Sequence, residues 1–310
     1  MSSTQITLLK KYGLEVHGFR GQHLLIDPNI QRKIVELVEP KPNEWILEIG
    51  PGLGALTLEL LASGARVIAV EKDRRFCEIL EGEFGTDYKG KLRIENADIL
   101  KTDLRKLLFH ASSISQRGKI KRSSRGLNPG YLSLNRQKKI KIVSNLPYYI
   151  TTPVLFWLIS NRALVEKAVL MMQCEVADRL LAQPGDKDYS RLTLGVRYYA
   201  RVHRAFDVSR NCFTPKPDVD STVVTLDFHP PSRFPKGIDE NFLFHLIQTA
   251  FGARRKSLLN RLSHDPKISR SREELLKIFA RLGIPEKTRA EELLLKDFIS
   301  LAESLSKRPD

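Results

Sequence analysis

The chain has 310 residues, enough for one large α/β domain with an appendage or for two ordinary domains. It is 42% hydrophobic and 28% charged, with no apolar run long enough to span a bilayer, and its three dispersed cysteines form no CxxC pair, so neither a disulfide framework nor a zinc site is indicated. Fifty-one Lys and Arg against thirty-six Asp and Glu give a net charge of +15, which favours a polyanionic partner, nucleic acid before membrane.

The amino terminus lacks the apolar core and small-residue cleavage site of a secretory signal, so a reducing, cytoplasmic setting is expected. Predicted elements begin near residue 40. Trp45–Gly50 (WILEIG) reads as a buried strand, followed by a glycine turn and the helical pattern Leu53–Ala62. Arg66–Glu71 (RVIAVE) is the next strand and Asp73–Glu83 the next helix; Leu92–Asn96, Lys141–Leu146 and Ala168–Gln173 continue the series. Strands alternating with helices imply a parallel α/β sheet covered on both faces, and right-handed crossovers make it doubly wound. Before the fourth strand, His110–Lys138 is rich in Ser, Gly, Arg and Lys, with seven basic residues and no acid. It reads as an inserted loop, either a solvated decoration or an RNA contact.

Near residue 200 the rhythm changes. Ala200–Ser209 and Ser221–His229 are strand-like runs separated only by a loop, expected to close the sheet as an antiparallel hairpin. His229–Gly237 (HPPSRFPKG) marks a boundary between a first domain, 1–231, and a second, 232–310. From there the pattern is helical: Glu240–Phe251, Arg255–Leu262, Arg272–Leu282 and Ala290–Leu305.

Two places carry chemistry. Glu48-Ile-Gly-Pro-Gly-Leu-Gly54 follows a strand and opens a helix, where glycine lets a ligand approach the backbone and the helix offers unpaired N–H groups. Alone, such a turn suits NAD, FAD, S-adenosylmethionine or plain tight packing. Glu48, Glu71 and Asp98 lie at the carboxyl ends of three successive strands, the edge where open α/β sheets bind ligands. Glu71 is placed to accept from ribose hydroxyls and Asp98 from an adenine amino group, so together they point to an adenosine-bearing cofactor. At the end of the fourth strand stands Asn145-Leu-Pro-Tyr148. The N6 amine of adenine is a poor nucleophile because its lone pair is delocalised into the ring. The Asn145 side-chain oxygen and the Leu146 carbonyl can accept its two N–H bonds, Pro147 fixes their relation, and Tyr148 can stack on a flipped base.

These motifs resemble the small-subunit ribosomal RNA adenine N6,N6-dimethyltransferase family. The resemblance runs from about Arg20 to Leu262 and rests on Gly21-Gln22-His23-Leu24-Leu25, the Glu48–Gly54 turn, Glu71-Lys-Asp73, Asp98, Asn145–Tyr148 and Phe213-Thr-Pro-Lys-Pro217. Pro184–Leu192 and Arg254-Arg-Lys256 also look like family segments; Arg20 and Leu24 depart from the usual residues. The resemblance implies a Rossmann-like class I methyltransferase sheet, an all-helical RNA-binding domain over 232–310, a monomer, and S-adenosyl-L-methionine as cofactor, without metal. Carried over, Gln22, His23 and Leu25 contact the methionine end of the cofactor, and Gly50 and Gly52 lie under it. Glu71 takes the ribose, Asp98 the adenine and Asn145 the transfer centre. Leu146, Pro147 and Tyr148 complete the catalytic tetrapeptide, and Phe213 covers the face of the target base opposite Tyr148.

The implied substrate is a pair of adjacent adenines in a hairpin near the 3′ end of small-subunit ribosomal RNA. The cluster Arg254, Arg255 and Lys256 at the start of a helix, with Arg261 beyond it, suits phosphate contacts. Two relatives remain as alternatives: the large-subunit methyltransferases of macrolide resistance, whose motif usually has Ile where Leu146 stands, and a non-catalytic transcription factor on the same scaffold. A nicotinamide oxidoreductase is disfavoured by the absent GxGxxG and by the charge.

Overall fold

A parallel strand buried on both faces can carry few polar side chains, which is why the apolar runs locate the sheet. The structure is a computed structural model that describes residues 4–16, 23–109, 139–230, 233, 237–253 and 256–306. After a helix α1 (Thr4–Lys11) and a two-residue strand β1 (Leu24–Leu25), helix α2 (Pro28–Val38) leads into β2 (Trp45–Ile49). Helix α3 (Ala55–Ala62), β3 (Arg66–Glu71), α4 (Arg74–Leu80), β4 (Leu92–Asn96) and β5 (Ile140–Asn145) follow. Then come α5 (Thr151–Ser160), β6 (Val165–Gln173), α6 (Cys174–Leu181), α7 (Arg191–Tyr199), β7 (Ala200–Val208), β8 (Phe213–Thr214) and β9 (Ser221–Phe228).

The main sheet has seven strands in the order β4-β3-β2-β5-β6-β9-β7. Its first five are parallel neighbours, β9 runs antiparallel to β6, and β7, expected to form a hairpin with β9, lies beside it at the sheet edge. Strand β2 pairs with β3 on one side and β5 on the other, so the winding reverses there. A crevice opens outside the carboxyl ends of strands at such a reversal. Helices α2 and α3 cover one face, burying Ile34, Val38, Leu56 and Leu60 against Ile46, Val67, Val143 and Val169. Each such side chain contributes about 1.5–3 kcal/mol by leaving water. Asp27 starts α2 by accepting from the Asn29 and Ile30 N–H groups, with Pro28 at the first helical position. A small second sheet pairs β1 with β8, setting Leu24 opposite Thr214 and Leu25 opposite Phe213.

By compactness the chain divides into Met1–Cys174 with His203–Phe228, and Glu175–Val202 with His229–Asp310. The segment 175–202, which chain order had placed in the first domain, thus packs with the carboxyl-terminal helices. The Tyr189 hydroxyl donates to the Leu293 carbonyl at 2.9 Å, and the Tyr199 hydroxyl to Glu240 at 2.7 Å. Besides α7 and nearly all of α6, the second unit holds α8 (Glu240–Ala250), α9 (Leu258–Leu262), α10 (Arg272–Leu282) and α11 (Leu295–Ser306). Ser271 and Glu274 form a capping box on α10, and Gly283 ends it in the left-handed region at φ 68°. Helix α9 begins after Ser257, whose hydroxyl caps Asn260 N–H, so Lys256 precedes the helix instead of lying inside it. Among the described residues, no helix is long and apolar enough to cross a membrane.

Candidate active site

At the carboxyl ends of β2, β3 and β5 lies a cavity of about 1120 Å³. Small-ligand pockets run from about 300 to 1,000 Å³, so this one has room for a nucleoside-bearing cofactor and a base together. All its lining belongs to the first unit.

The glycine turn forms its floor. Gly50 and Gly52 sit at φ 67° and 55°, the left-handed region that glycine enters without strain. A Cβ on Gly52 would also come within 3.1 Å of the Leu24 side chain. The Gly52 N–H donates to Glu71 Oε2 at 3.2 Å, and the Asp73 N–H to Oε1 at 2.8 Å. Burial pushes the Glu71 carboxyl up, while those backbone donors pull the other way. A carboxylate has about four acceptor sites, so two remain for a ligand's hydroxyls.

Beside it Glu48 is 1% exposed and accepts from Thr57 Oγ1 at 2.5 Å. Burial pushes its carboxyl up to about 7, against the Thr57 hydrogen bond and with the charge of Glu71 adding. Asp98 stands at the rim past β4. Its Oδ1 accepts from the Leu100 N–H at 3.1 Å, and its Oδ2 pairs with Lys72 Nζ at 3.1 Å. Burial alone would raise this carboxyl, but Lys72 and the Leu100 N–H outweigh it and hold it below its ordinary value. Asn96 ties the two strand ends, donating to the Glu71 and Lys72 carbonyls at 3.0 and 3.2 Å.

The tetrapeptide closes the far side. Asn145 Nδ2 donates to the His23 carbonyl at 3.0 Å, which fixes the amide and leaves Oδ1 without a protein partner among the described residues. The Leu146 N–H donates to the Met171 carbonyl at 3.1 Å, while its own carbonyl accepts nothing among the described residues. Two adjacent acceptors are therefore presented together. His23 Nδ1 donates to the Pro215 carbonyl at 2.7 Å, and its ring lies 5.3 Å from that of Tyr148, tilted by 34°. The Tyr148 hydroxyl shares a hydrogen bond with Ser221 Oγ at 3.0 Å, and burial raises its phenol.

The structure thus gathers His23, Leu25, Gly50, Gly52, Glu71, Asp98, Asn145, Leu146, Pro147 and Tyr148 around one cavity. Phe213 is the correction. It is 4% exposed, packs in the core with Leu25 and Val223, and does not line the cavity. Its segment reaches the site through the Pro215 carbonyl instead. Gln22, Arg254, Arg255 and the insertion 110–138 lie outside the described residues. The partners Thr57, Ser221 and Asn96 carried no sequence signal of their own, each being an ordinary polar residue at a helix or strand end.

The family model described as ribosomal RNA adenine dimethylase matches residues 14–307. The chain belongs to that family. It is 36% identical over 303 residues to the ribosomal RNA small subunit methyltransferase A of Lachnoclostridium phytofermentans, covering 98% of this chain and 96% of the relative. The protein of that name from Bacillus cytotoxicus is also 36% identical, over 96% of this chain and 94% of its own. Among solved structures, a dimethyladenosine transferase from Plasmodium falciparum superposes with a TM-score of 0.68 at 28% identity, over 90% of this chain and 96% of that one. The 23S rRNA methyltransferase ErmE matches at a TM-score of 0.62 and 21% identity, over 92% of this chain and 100% of its own, a likeness of fold.

The family's methyl donor is S-adenosyl-L-methionine, and the residues present fit it. A glycine floor in the left-handed backbone region, crowded at Gly52 by Leu24, a buried carboxylate with open acceptor sites, and a rim carboxylate suit its adenosine. Glu71 would take the ribose hydroxyls, Asp98 the adenine amine, and His23 and Leu25 the side towards the methionine end.

Proposed function

We propose that this chain dimethylates N6 of two adjacent adenines in a hairpin loop near the 3′ end of small-subunit ribosomal RNA, using S-adenosyl-L-methionine. The observation that carries the reading is the fixed amide of Asn145: with Nδ2 committed to the His23 carbonyl, Oδ1 and the Leu146 carbonyl form a pair of acceptors for an amine with two N–H bonds. The bound cofactor supplies an electrophilic methyl group. Accepting both N–H bonds favours a tetrahedral N6 and localises its lone pair, an interaction stronger at the transition state than in the planar ground state. Tyr148, anchored by Ser221, holds the base. The proton on the methylated amine is acidic enough to pass to water, so no general base of high pKa is needed.

The small-subunit relatives, together with Leu146 in place of Ile, favour small-subunit over large-subunit RNA. An intact tetrapeptide and intact cofactor acids favour an enzyme over a non-catalytic relative. The methyltransferase work falls to the first unit, Met1–Cys174 with His203–Phe228, and RNA positioning to the second, Glu175–Val202 with His229–Asp310. Lys256, exposed ahead of α9, would act there with Arg254 and Arg255, with 110–138 as a second contact. A monomeric, cytoplasmic protein fits this reading. The test is methyl transfer from labelled cofactor to undermethylated small subunits, with the modified nucleotides mapped. Label on two adjacent adenines is expected; label in large-subunit RNA, or none, overturns it.

A further inference from the structure

Among the described residues, seven large hydrophobic side chains are exposed, and three of them, Leu100, Tyr149 and Val219, line the mouth of the one cavity described above. Tyr149 is the most exposed of the seven, at 64%. Single exposed apolar residues need no explanation, but a group rimming a site marks a binding surface. The local backbone explains the contrast between neighbours. Tyr148 and Tyr149 belong to one 3₁₀ turn, Tyr148–Ile150, where successive side chains diverge by about a third of a turn. Tyr148 turns in, to Ser221, and Tyr149 turns out.

Cations share this mouth. Lys72, Arg74 and Arg75 line it, with side chains 69%, 82% and 55% exposed, each paired to a carboxylate within the protein. An exposed aromatic ring beside basic side chains, in a chain of charge +15, suits a base and its phosphates better than an apolar or cationic partner.

We propose that Tyr149 is the stacking platform for the nucleotide next to the adenine held in the pocket. This rests on the RNA-methylating reading above. In that substrate the neighbour is the other adenine, so the platform keeps it at the mouth while the first is modified. Leu100 and Val219, exposed on the lining of the same cavity, add apolar surface to exclude water from the stack.

The experiment uses undermethylated small subunits and the full chain carrying Tyr149→Ala, Tyr149→Leu, Tyr149→Phe or Tyr149→Trp. Removing one base–aromatic stack weakens binding by about five- to a hundredfold. KM for the subunits should rise by that factor in the Ala and Leu variants, with kcat and cofactor affinity carrying little of the loss. Phe and Trp should restore it. On subunits with uridine at the neighbouring position, a poorer stacker, the Ala variant should lose less, because the two changes remove one interaction. The proposal is overturned by an unchanged KM, by full rescue with Leu, by a loss confined to kcat or matched in cofactor affinity, or by equal losses on both RNAs. An inactive wild type would be a different failure, that of the methylation reading itself, and is seen without any variant.

Discussion

Replacing Glu71 by Gln probes the cofactor site at a buried carboxylate. The Gly52 and Asp73 N–H groups already fill two of the roughly four acceptor sites on the carboxylate, leaving two for the ribose hydroxyls. Gln preserves the volume but removes the charge and turns one oxygen into a donor. A hydrogen bond to a charged acceptor contributes about 1.5–3 kcal/mol and a neutral one about 0.5–1.5. Losing one bond and neutralising the other should therefore cost about 2.5–4.5 kcal/mol, roughly seventy- to two-thousandfold in Kd. Ala is a poorer probe: it strands both backbone N–H groups at about 1–3 kcal/mol each where Gln strands one, so stability falls further with affinity. Calorimetry with S-adenosyl-L-methionine and a 2′,3′-dideoxy counterpart reads the effect. Wild type should discriminate between the two ligands, and Glu71→Gln should bind them nearly alike. Because burial holds the Glu71 carboxyl above its ordinary value, the fully accepting form is gained as pH rises through that raised pKa. Wild-type affinity should accordingly climb with pH while that of the Gln variant stays flat. Equal discrimination by both proteins, or parallel pH profiles, would refute the assignment of Glu71 to the ribose.

Asn145→Ala should abolish turnover with a much smaller loss of RNA affinity, since its bond to N6 strengthens as the nitrogen rehybridises; near-normal single-turnover rates would contradict this. Glu48 gives a stability signature. Its folded pKa of about 7 exceeds the ordinary 4.5, so its contribution is fully present below pH 4.5 and is lost as pH rises through about 7, a change of roughly 3 kcal/mol. Glu48→Gln, which can still accept from Thr57, should lack that loss in denaturant unfolding at pH 4.5 and 8; matching profiles would show that Glu48 is not protonated in the fold. Neutralising Arg254, Arg255 and Lys256 should weaken RNA binding and flatten its salt dependence by about 0.7 to 0.9 log units for each phosphate no longer neutralised, and an unchanged slope removes the cluster from the interface.

The parallel core was legible because burial on both faces leaves a continuous apolar run, and Arg66–Glu71 is bounded as the sequence implied. Elements without such a pattern were not. The bridge of Leu24–Leu25 to Phe213–Thr214 is too short to show alternation, and nothing in the pattern marks Phe213 as packed in the core. The start of α9 was misplaced by three residues because a helical apolar pattern extends through Lys256, while the Ser257 hydroxyl decides where the backbone begins to coil. Segment 175–202 was assigned by chain order, whereas its packing is set by contacts such as Tyr189 with Leu293, 104 positions away.

The site divides along the same line. Which residues reach the cavity follows from strand ends, so Glu71, Asp98 and Asn145 were legible: a residue at the carboxyl end of a parallel strand near the winding reversal has nowhere else to point. Which atom each presents does not follow from the sequence. Free in solution, the Asn145 amide offers a donor as readily as an acceptor. Here its orientation is set by the carbonyl of His23, 122 residues away, and His23 is itself held by the Pro215 carbonyl, 192 residues from it. An amide turned the other way would meet an exocyclic amine with its own N–H groups and repel it. On the proposed function, the acceptor offered to N6 is built by the residue before the amino-terminal strand and the segment after β8, and substitutions that loosen either should lower turnover while leaving every residue of the tetrapeptide in place.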